Sequence, residues 1–160
     1  MTPDTSLEPL RIVPFESRFA EKCALLLAGV PEWFGIPEAN AEYLRNLSAL
    51  PSWIALSGEE VVGAITLEQH APGSCEVHFL AVRRDSHRQG IGRALLAHLE
   101  SEARHRGAHW LHVKTLAPSA ASPFYARTRL FYQALGFSPL FESTVFWGPH
   151  NPTLVLVKTL

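Results

Sequence analysis

Cysteine and methionine are nearly missing from this chain: its 160 residues hold two cysteines and one methionine. Cys23 and Cys75 form no C-x-x-C pair and are too few for a disulfide framework, so both are expected as reduced core thiols. Long apolar runs are missing too. No stretch approaches the ~20 residues that a membrane span needs, and Met1-Thr-Pro-Asp-Thr-Ser6 has neither the charged start nor the apolar centre of a secretion leader. The expectation is a soluble, cytoplasmic protein that does not enter a membrane. Metal-ligand spacing is also absent. His98, His105, His109 and His112 are scattered about Gly107, and no H-E-x-x-H run or Cys/His pairing occurs, so no metal is expected. A large net charge is the last absence. The formal total of −1 argues against a broad nucleic-acid or membrane-surface binder.

What is present fits one domain over residues 1–160, with 47% hydrophobic and 18% charged residues and no repeat or low-complexity linker. The near-zero charge conceals a split. Residues 1–80 hold four Lys/Arg against eleven Asp/Glu, a net of −7, whereas residues 81–160 hold ten against four, a net of +6. Alternation predicts strands at Leu10–Pro14, Trp53–Leu56, Val61–Leu67, Glu76–Val82, Trp110–Thr115, Phe137–Phe146 and Thr153–Val157. Helical spacing predicts helices at Ser17–Ala28, Glu38–Leu47, Gly90–Arg106 and Phe124–Leu135. The apolar run at Glu76–Val82 suggests a central strand buried on both faces. Strands flanking helices throughout give a mixed α/β class.

The most informative stretch is the strand, a polar loop Arg83–Gln89, Gly90-Ile-Gly92, and a helix with Arg near its start. Two glycines at a helix N-terminus let backbone N–H groups approach a ligand, and the helix dipole adds positive potential. The product is an anion site, most often for phosphate, although a tight strand-to-helix turn uses the same glycines. A dinucleotide fingerprint would need a third glycine where Leu95 stands and an acidic residue in the region of Ala108–His112. A phosphate-binding G-K-[S/T] run is missing as well.

The run Glu76-Val-His-Phe-Leu-Ala-Val-Arg-Arg-Asp-Ser-His-Arg-Gln-Gly-Ile-Gly-Arg-Ala-Leu-Leu96 resembles the central motif of the GNAT superfamily of acetyl-CoA-dependent N-acetyltransferases. That signature is a strand followed by [Q/R]-x-x-G-x-[G/A] opening a long helix. Leu130-Phe-Tyr-Gln-Ala-Leu-Gly-Phe137 is similar to the family's late helix, which ends in F-Y-x-x-x-G-F. The resemblance implies an acyl-CoA N-acyltransferase fold: a mixed, mostly antiparallel sheet splayed at its central strand, with helices on both faces. It implies transfer of the acetyl group of acetyl-CoA, as co-substrate, to a primary amine of a small molecule or peptide by direct attack in a ternary complex. A non-catalytic acyl-CoA sensor and an acyltransferase for longer chains stay open beside it. Homodimers are common in the family, and no residue here specifies one.

Residue roles follow from the same resemblance. The pyrophosphate would lie against the backbone of Arg88, Gln89, Gly90, Ile91, Gly92 and Arg93, with His87 at the head of the same cofactor-binding loop. His87 replaces the family's Gln or Arg at the first motif position, and neighbouring Arg88 is placed to compensate. The pantetheine arm would pair with Leu80, Ala81 and Val82 like an added strand, with the Leu80 amide polarising the thioester carbonyl. Tyr132 matches the general acid that protonates the departing thiolate. Glu76 stands where some members place a catalytic glutamate, and His78, two residues on along the same face, is a second candidate base. Tyr125 and Thr128 depart from the Asn and Ala usual before the tyrosine. Trp33, Phe34, Trp53, Phe124, Phe146 and Trp147 are either acceptor-lining or core aromatics. The family's early helices border the acceptor, so the −7 half points to a cationic amine.

Overall fold

The computed structural model describes residues 8–160, so the N-terminal stretch Met1–Ser6 read above lies outside the described residues. Seven strands form one sheet in the order β1-β2-β3-β4-β5-β7-β6. The strands are β1 (Leu10–Pro14), β2 (Ser52–Ser57), β3 (Glu60–Ala71), β4 (Ser74–Val82), β5 (Trp110–Leu116), β6 (Ser138–Ser143) and β7 (Thr153–Thr159). The β4–β5 pair is parallel, running from Ser74 opposite Trp110 to Val77 opposite Val113. β1–β2, β5–β7 and β6–β7 are antiparallel. The chain folds as two compact units, each assembled from separated segments.

The first unit comprises residues 8–65 and Leu80–Leu96. β1 lies on β2 with Leu10 opposite Ser57 and Pro14 opposite Trp53. A 3-10 turn at Ser17–Phe19 opens α1 (Ala20–Ala28), which buries Cys23, Leu26 and Leu27 on one face. Pro37 begins α2 (Pro37–Ala49), where its missing N–H has no intrahelical acceptor to lose. α3 (Ile91–His105) starts in this unit, burying Ile91, Leu95 and Leu96. Its close seat on the sheet depends on Gly63 of β3. A Cβ there would stand 2.9 Å from Leu95 Cδ1, 3.1 Å from Ile91 Cγ2 and 3.2 Å from the Ala81 carbonyl.

The second unit comprises Thr66–Phe79 and Ala97–Leu160. Leu67, Cys75, Leu99, Ala103, Leu111 and Leu156 form its driest core, each fully enclosed. α4 (Pro123–Ala134) is capped by Ser122, whose hydroxyl accepts the Tyr125 N–H at 3.3 Å. β6 lies at the end of the sheet, paired only to β7, and its register shifts between Pro139 and Phe141. Proline brings no N–H to a ladder, so an edge strand is where it fits.

Two sequence expectations shift, and a third gains detail. The strand read as Phe137–Phe146 stops at Ser143, where the Ser143 hydroxyl accepts the Val145 N–H at 3.1 Å and turns the chain. β3 runs on to Ala71 and β4 begins at Ser74, so Glu68, Gln69 and His70 are strand residues despite their polarity. β4 is central and has no exposed residue, as expected, though one of its two covered faces is polar. Cys75, Val77 and Phe79 are buried, and the opposite face carries Glu76 and His78.

Candidate active site

In the first unit β4 ends in Leu80, Ala81 and Val82, and a 3-10 turn at Arg84–Ser86 leads to the loop before α3. Arg88 has φ 63° and Gly90 has φ 78°. Left-handed residues so placed turn neighbouring N–H groups toward one side and make a nest for an anion. For arginine that conformation costs about 1–2 kcal/mol, so the surrounding fold holds it there. A Cβ built on Gly90 would meet nothing within 4 Å, so the space beside the nest is open. The N–H groups of Ile91, Gly92 and Arg93 lie in the first turn of α3, where no helical carbonyl can accept them.

The loop's side chains divide into two sets. Arg83 donates to Asp85 at 2.6 Å, and that hydrogen bond holds the Asp85 carboxyl below its ordinary value. Arg84 pairs with Glu32. Arg88 and Arg93 have no carboxylate partner among the described residues, so they are the cations left to face a ligand. His87 turns back: its Nε2 lies 2.8 Å from the Val82 carbonyl, and Trp33 meets its ring edge-on at 5.6 Å. His87 therefore closes the strand end rather than replacing the family's Gln or Arg as a side-chain contact.

In the second unit, adjacent strands present ionisable residues at two-residue intervals: Glu68 and His70 on β3, Glu76 and His78 on β4, His112 and Lys114 on β5. Two-residue spacing keeps each pair on one face of the sheet. Glu76 is 1% exposed. Its Oε1 lies 3.0 Å from His70 Nε2, and its Oε2 lies 3.1 Å from Lys114 Nζ and 3.6 Å from His112 Nε2. The Lys114 contact is an ion pair off hydrogen-bond alignment, since Oε2 accepts no hydrogen bond of good geometry. Burial alone would push the Glu76 carboxyl up. The His70 hydrogen bond and the Lys114 charge together outweigh burial and set it below the ordinary value. Glu76 is thus an anion at neutral pH. Burial also lowers His112, ahead of the opposing pull of Glu76. His78 Nδ1 lies 3.1 Å from Glu68 Oε2.

Tyr132 is buried on α4, with Phe131 and Phe137 meeting its ring edge-on at 5.1 and 5.4 Å. Burial, and then the nearby Tyr125, push its phenol far up, so it keeps its proton. Of the other aromatics, Trp53 is core and Phe146 is half exposed over Lys114, whose Nζ lies 4.8 Å from the ring centre.

The model of the acetyltransferase (GNAT) family matches residues 23–137, most of the chain. The chain belongs to the GNAT family. Among solved structures, a ribosomal-protein-S18-alanine N-acetyltransferase from Escherichia coli is 19% identical, covers 94% of each chain and has a TM-score of 0.75. An aminoglycoside 6′-N-acetyltransferase complexed with coenzyme A is 21% identical over 93% of this chain and 96% of its own, with a TM-score of 0.74. A GNAT acetyltransferase from Elizabethkingia anophelis with acetyl-CoA bound is 17% identical over 94% and 98%, with a TM-score of 0.71. No curated protein matches the sequence. At these identities the likeness establishes the GNAT fold, in agreement with the mixed, mostly antiparallel sheet. No helix among the described residues is long and apolar enough to cross a membrane.

Sequence reasoning singled out the loop, Glu76 and His78; it passed over Glu68, His70 and Lys114 and weighed His112 only among scattered histidines. Their signal was the repeated spacing of two in 68/70, 76/78 and 112/114. It becomes meaningful only when the three strands are known to be neighbours.

Proposed function

We propose that this chain transfers the acetyl group of acetyl-CoA to a primary amine, which attacks the thioester directly in a ternary complex. The observation that carries this reading is the loop: left-handed Arg88 and Gly90 beside the α3 N-terminus, with no carboxylate partner for Arg88 or Arg93 among the described residues. A pyrophosphate is the anion such a nest suits. The backbone of Leu80, Ala81 and Val82 takes the pantetheine amides, and the Leu80 N–H polarises the thioester carbonyl. The Val82 carbonyl, which already accepts from His87, keeps one lone pair for that use.

The proton steps are given to Glu76, His78 and Tyr132. Glu76, held as an anion, attracts the acceptor's ammonium and receives its proton through water, and His78 with its Glu68 partner is the alternative base. The free amine then attacks the carbonyl carbon. The C–S bond breaks, and Tyr132 gives its phenolic proton to the sulfur. Burial raises both Cys23 and Cys75, so neither supplies a thiolate for an acyl-enzyme. The acidic first half supports a cationic acceptor.

The test is acetyl-CoA with a panel of neutral and cationic amines, followed by free-thiol release. Both cysteines are buried, so the folded protein adds little background. Thiol release with cationic amines above neutral ones is the expected result. Acetyl-CoA binding with no release from any amine would instead favour a non-catalytic sensor.

A further inference from the structure

The cluster around Glu76 holds more ligand chemistry than a single proton transfer requires. We propose that His70, Glu76 and His112 form a binding site for a divalent ion of the zinc class, which Lys114 occupies in the ion's place when the site is free. The ligand-capable atoms of these three residues lie within 4.8 Å of one another. Zinc bonds to imidazole nitrogen and carboxylate oxygen measure about 2.0–2.2 Å, which sets tetrahedral ligand atoms about 3.4 Å apart. The observed separations are 3.0 Å from Glu76 Oε1 to His70 Nε2 and 3.6 Å from Glu76 Oε2 to His112 Nε2, so the two carboxylate oxygens each have one imidazole near that spacing. Two imidazoles and one carboxylate, with a position open to water, is a donor set that zinc uses.

A second observation points the same way. Glu76 Oε2 is enclosed, turned into the cluster, and accepts no hydrogen bond. A buried carboxylate oxygen in that state is costly unless a cation answers it. Lys114 supplies the charge without the alignment, and its ammonium also rests over the Phe146 ring. Its four-carbon stem lets it withdraw toward that ring and leave a divalent ion the same oxygen. Strand geometry holds the ligands ready. His112 stands opposite Glu76 in the parallel β4–β5 register, and His70 reaches in from β3 on the other side of β4. Glu68 Oε2, 3.7 Å from His70 Nε2, adds a second negative charge at the rim. Binding itself does not depend on acetyl transfer. Its consequence, withdrawal of Glu76 from proton transfer, does rest on the function proposed above.

The experiment is calorimetric titration of the full chain with Zn²⁺ alone, with Co²⁺ added separately to read its visible ligand-field band. One ion per chain is expected. His70→Ala and His112→Ala, both at partly exposed side chains, each weaken it by at least about tenfold. His105→Ala, outside the cluster, leaves it unchanged. Circular dichroism checks that each variant is folded. As a second arm, Lys114→Met leaves Glu76 without its ammonium, so Zn²⁺ should raise the melting temperature of this variant more than that of the wild type. The proposal is overturned by no binding at millimolar Zn²⁺, by binding that survives both histidine replacements, or by an equal Zn²⁺ effect on wild type and Lys114→Met.

Discussion

Arg88 carries two burdens at once, a left-handed backbone and a guanidinium with no carboxylate partner among the described residues. Glycine at this position keeps the backbone shape and removes only the charge. Arg88→Gly should therefore weaken acetyl-CoA binding roughly tenfold, in line with loss of a charge-assisted hydrogen bond. Folding stability should stay within about 1 kcal/mol, because relief of strain offsets the added chain entropy. Titration calorimetry and thermal melting read the two effects separately. Unchanged affinity would remove Arg88 from the phosphate site. The sequence showed four arginines in this loop with equal standing. It could not show that Asp85 and Glu32 neutralise Arg83 and Arg84, because Glu32 lies fifty-two positions away. At Glu76 the residue was legible and its setting was not, since the three nitrogen-bearing side chains around its carboxylate come from two other strands.

At the scale of elements, the seat of α3 on the sheet decides where its N-terminus points. Gly63 permits that seat, since a methyl group there would press on Leu95, Ile91 and the Ala81 carbonyl. Gly63→Ala is expected to destabilise the fold by about 1–3 kcal/mol, as overpacked sites do. It should also weaken acetyl-CoA binding by displacing the first turn of α3. Chemical denaturation gives the first effect and ligand titration the second, and an unaltered stability would contradict the account of this contact. Helices and strands were largely legible, because apolar stripes such as Ile91, Leu95 and Leu99 have one periodicity that fits. Boundaries failed where chemistry overrides pattern. β3 continues through Glu68, Gln69 and His70, of which Glu68 and His70 join the ionic cluster, and polarity there hid the strand. At the far edge, β6 ends early because the Ser143 hydroxyl captures the next turn, a local bond that apolar alternation does not encode.

Across the whole molecule, the buried acids Cys23, Cys75 and Tyr132 all have folded-state values raised by burial. For Cys23 the shift runs from 9.0 to about 11. A raised value means that the folded chain keeps its proton where the unfolded chain has lost it. The associated stability is intact below pH 9.0 and drains as the pH rises toward 11. Cys23 alone accounts for on the order of 3 kcal/mol over that window. Denaturation at pH 8 and pH 10.5 should show a fall that Cys23→Ala makes shallower, and an equal fall in both proteins would contradict it. Family membership was legible from two motifs in order. The acceptor was not, because its recognition depends on side chains that no short motif contains. The central claim is that the Arg88–Gly92 nest holds acetyl-CoA, and thermal melting with added acetyl-CoA tests it most directly. Saturation a hundredfold above Kd adds about 2.7 kcal/mol, so the account predicts a rise of several degrees that shrinks in Arg88→Gly, and a melting temperature unmoved by millimolar acetyl-CoA would contradict it.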